Sequence, residues 1–207
     1  MRTLLIAVLV SLIAVPAALA TTCIYDWEDC GTVIGMYPDM DAQIVTNVTA
    51  PDPVYEGLRS LKIEDNLASG TPQAFVAWVY GLADGDSVWA QFARYDDSPD
   101  ASPSVRIWAH WNDTMDIDGY SGSAGGNGDY GLGLGWDVHG WGWMVADGHT
   151  GIIIEARTYS NPGDIVWIDD LQVSFYTDHP GVCVLVPVAG PSAVEATTWG
   201  GIKALFE

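Results

Sequence analysis

Short runs of β-branched and aromatic residues recur along this chain, each bounded by clusters of Gly, Pro, Asn and Asp, and the body of the chain carries no amphipathic helical stripe. The runs cover residues 23–28, 43–48, 60–64, 73–81, 87–95, 105–111, 142–145, 151–159 and 165–175. Ala83-Asp84-Gly85-Asp86 supplies a hairpin turn, because Asp-Gly tolerates the positive φ angles of a tight reversal. Strands of this length with turn signals between them predict an all-β sandwich or barrel. The segment from Asn112 to Trp141 is rich in glycine, with Tyr120, Tyr130 and Trp136 among the glycines, and is expected to be a functional or mobile loop.

The two ends read differently. Arg2 precedes an apolar run from Leu4 to Ala18, and Ala18-Leu19-Ala20 has the small-x-small form of a cleavage site. Residues 1–20 are therefore expected to be a signal peptide, too short for a membrane span of roughly 20 apolar residues. The protein is expected to be secreted, extracellular or at the cell surface. Residues 21–176 form the expected domain. Residues 177–207, punctuated by Pro180, Pro187 and Pro191, are expected to be a linker and C-terminal tail.

Seven Lys and Arg residues face 27 Asp and Glu, a formal net charge of −20. Such a surface repels phosphate backbones and excludes nucleic acid and anionic membrane as partners. Acid excess suits hard cations such as calcium. Cys23, Cys30 and Cys183 allow one disulfide, with a bridge from the N-terminal strand to Cys183 sterically easier than Cys23–Cys30. Asn47-Val48-Thr49 and Asn112-Asp113-Thr114 match glycosylation acceptors.

Alternation gives each strand two faces. Val105, Ile107, Ala109 and Trp111 share one face of their strand, opposite Arg106, Trp108 and His110. Val88, Ala90 and Phe92 lie opposite Trp89, Gln91 and Tyr95; Ile152, Ile154 and Ala156 lie opposite Glu155, Arg157 and Tyr159. Aromatic planes can stack on the axial C–H groups of a sugar ring, and the long polar side chains beside them can pair with its hydroxyls. The nine residues Trp89, Gln91, Tyr95, Arg106, Trp108, His110, Glu155, Arg157 and Tyr159 are thus the expected ligand-binding surface, with a polysaccharide or glycan as partner.

Three stretches together resemble the carbohydrate-binding modules of families 4, 9 and 22, within the galactose-binding-like jelly rolls. They are Asp26-Trp27-Glu28-Asp29-Cys30-Gly31, the turn and strand from Gly81 to Phe92, and Gly163-Asp164-Ile165-Val166-Trp167-Ile168-Asp169-Asp170-Leu171-Gln172-Val173. The resemblance implies a jelly-roll β-sandwich of two antiparallel sheets and a structural calcium held by Glu28, Glu56, the Arg59 carbonyl and Asp169. Trp27 and Cys30 depart from the family pattern.

The chain is not expected to be an enzyme. Glycoside hydrolysis normally uses two facing carboxylates; the expected surface offers only Glu155, with Arg157 beside it as a candidate ion-pair partner. The alternative role is a structural or assembly subunit of an extracellular surface layer or filament, with self-assembly or surface docking through the tail.

Overall fold

The computed structural model describes residues 19–37, 44–131 and 133–188. Twelve strands are found there: β1 (Leu19–Tyr25), β2 (Gly35–Met36), β3 (Ile44–Thr49), β4 (Arg59–Glu64), β5 (Gln73–Tyr80), β6 (Ser87–Asp96), β7 (Ser104–Trp111), β8 (Gly122–Gly126), β9 (Gly135–Met144), β10 (Gly151–Tyr159), β11 (Ile165–Thr177) and β12 (Cys183–Leu185). They form two antiparallel sheets, the β-sandwich expected. Sheet A runs β3-β4-β11-β6-β9, with β1 also on β11; sheet B runs β12-β5-β10-β7-β8, with β2 also on β5.

The inward faces are those that alternation predicts. Val88, Ala90 and Phe92 from sheet A meet Val105, Ile107, Ala109, Ile152, Ile154 and Ala156 from sheet B in one core. The 13-residue β11 pairs with β4 through Ile165–Ile168 and with β1 through Leu171–Thr177. The ladder to β6 shifts between Asp169 and Gln172, where Asp170 takes a φ of 46°. This bulge keeps Ile168 and Leu171 both facing the core although they are three residues apart. Trp27, wholly buried, caps one end of the core; its indole N–H donates to the Thr32 carbonyl at 2.8 Å.

Arg94 shares the inward parity of Val88, Ala90 and Phe92, and only 4% of it is exposed. It joins the sheets by hydrogen bonds rather than apolar contact. Its Nε and Nη2 donate to the two carboxylate oxygens of Asp137 on β9 at 2.7 and 3.1 Å. Its Nη1 donates to the carbonyls of Val105 on β7 and Asp129, both at 2.8 Å. Gly131, at φ 73°, passes so close that a β-carbon would stand 2.8 Å from Arg94 Nη2.

Several expectations change. The glycine-rich stretch is not one loop: it contains β8 and most of β9. Its glycines permit close approach, since a β-carbon on Gly126 would collide with the Ile107 carbonyl of neighbouring β7. Trp143 on β9 donates its indole N–H to the Gly125 carbonyl on β8 at 3.1 Å, closing that side of the sandwich. The stretch expected as linker supplies β12, which pairs with β5 through Cys183–Leu185. The residues expected to end the leader, Leu19 and Ala20, pair with Thr177 and Tyr176; residues 1–18 and 189–207 lie outside the described residues. All three cysteines are free, so the bridge to Cys183 is not formed. The sequon asparagines are structural: Asn47 Nδ2 donates to the Trp27 and Gly31 carbonyls, and Asn112 Nδ2 to that of Asp116. Among the described residues no helix is long and apolar enough to cross a membrane.

Two stability measurements check this framework. Arg94→Met strips two carbonyls and Asp137 of their donor; a loss of about 2–3 kcal/mol in urea denaturation is expected, Asp137 being solvated enough to recover part of its share. His139 is buried on β9, and burial, then the nearby Arg94 charge, pushes its pKa down to about 4. A depressed histidine pKa means that the unfolded chain takes up the proton first. Stability therefore falls as pH drops from about 6.5 towards 4, by at most about 1.4 kcal/mol per pH unit. Comparing urea midpoints at pH 7 and pH 4.5, His139→Gln should show a smaller loss than the parent.

Candidate functional site

The nine expected ligand-binding residues do not share one surface. Trp89, Gln91 and Tyr95 lie on the outer face of sheet A, whereas Arg106, Trp108, His110, Glu155, Arg157 and Tyr159 lie on the outer face of sheet B. The core separates the two groups. Each strand's polar-aromatic face is as expected, but β6 belongs to the other sheet.

On sheet B, the register sets β7 against β10: His110 opposite Ile153, Trp108 opposite Glu155, and Arg106 opposite Arg157. Half of this face is roofed. Phe75, Trp78 and Ile153 form an outer apolar cluster covered by Ile34, Tyr37, Ile117 and Leu185. Ile117 arrives on the loop between β7 and β8, which is folded on itself by Asn112: its Oδ1 accepts from the amide and hydroxyl of Thr114. Tyr37 and Tyr120 both pack on the His110 ring, with centroids 5.4 Å away.

Under this roof Glu155 is fully buried. The expected Glu155–Arg157 ion pair is not formed. Glu155 Oε1 instead lies 2.5 Å from His110 Nδ1 and accepts from the Tyr37 hydroxyl at 3.1 Å, while its Oε2 has no hydrogen-bond partner. Burial, followed by the Glu155 charge, raises the Tyr37 pKa far above the ordinary phenol range.

The other half of the face is open. Trp108 is half-buried, with the Arg106 guanidinium 4.5 Å and the Arg157 guanidinium 5.0 Å from its ring centroid. Arg106 also lies 4.6 Å from the Tyr130 ring, and Tyr130 packs against Tyr159 at 4.8 Å. Tyr130 is fixed by its own carbonyl, which accepts from the Ser104 hydroxyl. Cation–π contact holds both guanidinium planes against aromatic rings, yet the Nε of each arginine is buried without a hydrogen-bond partner. Burial pushes the Arg106 pKa down; Tyr130 opposes that shift and the Arg157 charge adds to it. The result is an aromatic floor flanked by two guanidinium groups.

Sheet A's outer face carries a second aromatic group. Trp136 packs against Tyr55 and Tyr95, and Tyr95 against Trp167. Trp89, 47% exposed, lies over β9: a β-carbon on Gly140 would stand 3.0 Å from its Cζ2, and one on Gly142 3.0 Å from its Cε3. Gln91 donates to Gln172 at 3.3 Å beside it.

The four residues implied as calcium ligands do gather around the 55–59 turn. Glu28 Oε1 accepts from the amides of Leu58 and Arg59 at 2.6 and 2.9 Å. Asp169, fully buried, accepts from Tyr55 and Glu56 on Oδ2 and from Asp170 on Oδ1. Burial raises its pKa to about 6 against the pull of those amides. Backbone amides therefore donate to Glu28 Oε1 and to both carboxylate oxygens of Asp169. Among the described residues no group of three or more His, Cys, Asp or Glu could hold a metal.

Tyr37, Tyr120 and Tyr130 complete the sheet B face and were not among the expected site residues. All three come from outside the strands, where no alternation marks a face.

No protein-family model matches the sequence, and no curated protein matches it. Among solved structures, the xylan-binding CBM22-1 domain of Xyn10C from Paenibacillus barcinonensis is 12% identical with a TM-score of 0.43, covering 81% of this chain and 95% of that one. The K1 cleaved adhesin domain of Lys-gingipain from Porphyromonas gingivalis is 14% identical with a TM-score of 0.48, covering 74% and 97%. A family 35 carbohydrate-binding module from Clostridium thermocellum is 16% identical with a TM-score of 0.38, again covering 74% and 97%.

Proposed function

We propose that the chain is a secreted, non-catalytic glycan-binding domain whose ligand lies on the open half of sheet B, over Trp108. The observation that carries this reading is the platform of aromatic rings and cations there: the Arg106 and Arg157 guanidinium groups lie against Trp108, and Arg106 also against Tyr130. A saccharide would stack on the half-buried indole while its hydroxyls meet the terminal Nη groups of the two arginines. The buried Glu155–His110–Tyr37 bonds would keep the strand beneath in place.

Trp89 supports a second reading, with the ligand on sheet A, because its face is exposed and flat against glycine. Retention on gels containing glucuronoxylan, cellulose or polygalacturonate separates the two. Trp108→Ala should lower retention at least tenfold on whichever polymer binds, with Trp89→Ala unchanged and both melting temperatures within a few degrees of the parent. Loss in Trp89→Ala alone would move the site to sheet A. Absence of retention on every polymer would remove the glycan reading.

The structural calcium is a separate proposal. It requires the amides of the 55–59 turn to release Glu28 and Asp169 in favour of the ion. Binding to the folded state alone would raise the melting temperature in millimolar calcium and lower it in chelator; an unchanged value removes the ion from the proposal.

A further inference from the structure

We infer that the sheet B site selects an acidic sugar, one carrying a carboxylate or a sulfate ester, through the paired guanidinium groups of Arg106 and Arg157. This rests on the glycan-binding reading above and specifies its substrate class.

The starting observation is a placement that folding alone does not favour. Among the described residues there are five basic side chains, Arg59, Lys62, Arg94, Arg106 and Arg157. Two of them occupy directly opposed positions on neighbouring strands. Like charges directly across a strand pair are destabilising, and both side chains are partly withdrawn from water. In a chain with 27 acidic residues, carboxylates for neutralising them are plentiful. Arg94 shows how this chain treats a structural arginine: it is held by Asp137 in two hydrogen bonds. Neither Arg106 nor Arg157 has a salt bridge among the described residues; Arg94 is the arginine that has.

The environment then defines what would fit. Trp108 and Tyr130 lie against the guanidinium groups and the Nε atoms are buried, which leaves the terminal Nη1–Nη2 edges as the groups open to a ligand. A guanidinium edge presents parallel N–H donors that match the two oxygens of a carboxylate or sulfate. An oxyanion placed there would relieve the Arg106–Arg157 repulsion and satisfy unpaired donors at once. Glu155, two residues along β10, is buried beside His110 and Tyr37 under the roofed half of the face, and its charge would repel an anion. The acidic group of the sugar is therefore placed over the arginines, away from that end of the strand. The protein's net charge opposes any polyanion at long range, so retention of one would report this local pair rather than general attraction.

Affinity electrophoresis with the full chain tests this, using polygalacturonate, the same polymer after carboxyl reduction, dextran sulfate and neutral dextran. Retention on polygalacturonate or dextran sulfate is expected, falling at least tenfold on carboxyl-reduced polymer or neutral dextran and weakening as salt is raised. Preference between the two acidic polymers assigns the carboxylate or the sulfate ester. Arg106→Gln and Arg157→Gln should each lose retention while the melting temperature stays level or rises, because a like-charge contact is removed. Should a variant unfold, the comparison of intact and reduced polymer on the parent protein still decides. Equal retention on intact and reduced polymer would overturn the charge selection and leave glycan binding standing; no retention on any polymer would remove both.

Discussion

The register between β7 and β10 is the constraint on which both the core and the site depend. With Ala109 opposite Ile154 and Ile107 opposite Ala156, the apolar members of each strand face the sandwich interior. The same register places Trp108, Arg106, Glu155 and Arg157 together outside. A slip of one residue in β7 would turn Arg106, Trp108 and His110 into the core, and one in β10 would turn in Glu155 and Arg157. Burial of Ile107, Ile152 and Ile154 therefore holds the arginines opposite one another. The hydrophobic core pays for a charged contact that neither strand would choose.

How much was legible in the sequence follows from what alternation measures. It is a property of one strand, so the inward residues of β6, β7 and β10 were readable, as were their polar-aromatic faces. Which sheet a strand joins is decided by contacts distant in sequence. Trp89 therefore grouped with Trp108 on paper although a core separates them. Arg94 was detectable by parity, since it falls on the same side of β6 as Phe92; a charge at an inward position asks for a partner, which Asp137 supplies. Tyr37 offered no comparable signal, and Tyr120 and Tyr130 were marked only by lying in the glycine-rich stretch, because all three reach the face from outside the strands. The glycine-rich stretch misled for a physical reason: glycine usually weakens a strand, but here it allows β8 to approach β7 at a distance that a side chain would prevent.

Charge follows a similar division between chain and place. The whole molecule is strongly acidic, and many of its carboxylates are spent locally. Asp65, Asp96, Asp116 and Asp129 accept from amides two residues ahead, fixing turns. Glu28 and Asp169 do the same over a longer reach, tying the 55–59 turn to β11 and the first strand's end. The open half of sheet B, where Arg106 and Arg157 stand together, owes its sign to where the acids are used as much as to the arginines.

Trp89 has a different kind of support from Trp108. Its indole lies against Gly140 and Gly142, where a β-carbon would stand 3.0 Å from the ring. A ring seated this way takes its tilt from the local twist of β6 against β9, and its plane is a read-out of sheet geometry. Any event that flattens or winds that pair would turn the indole with it and change its exposure to solvent.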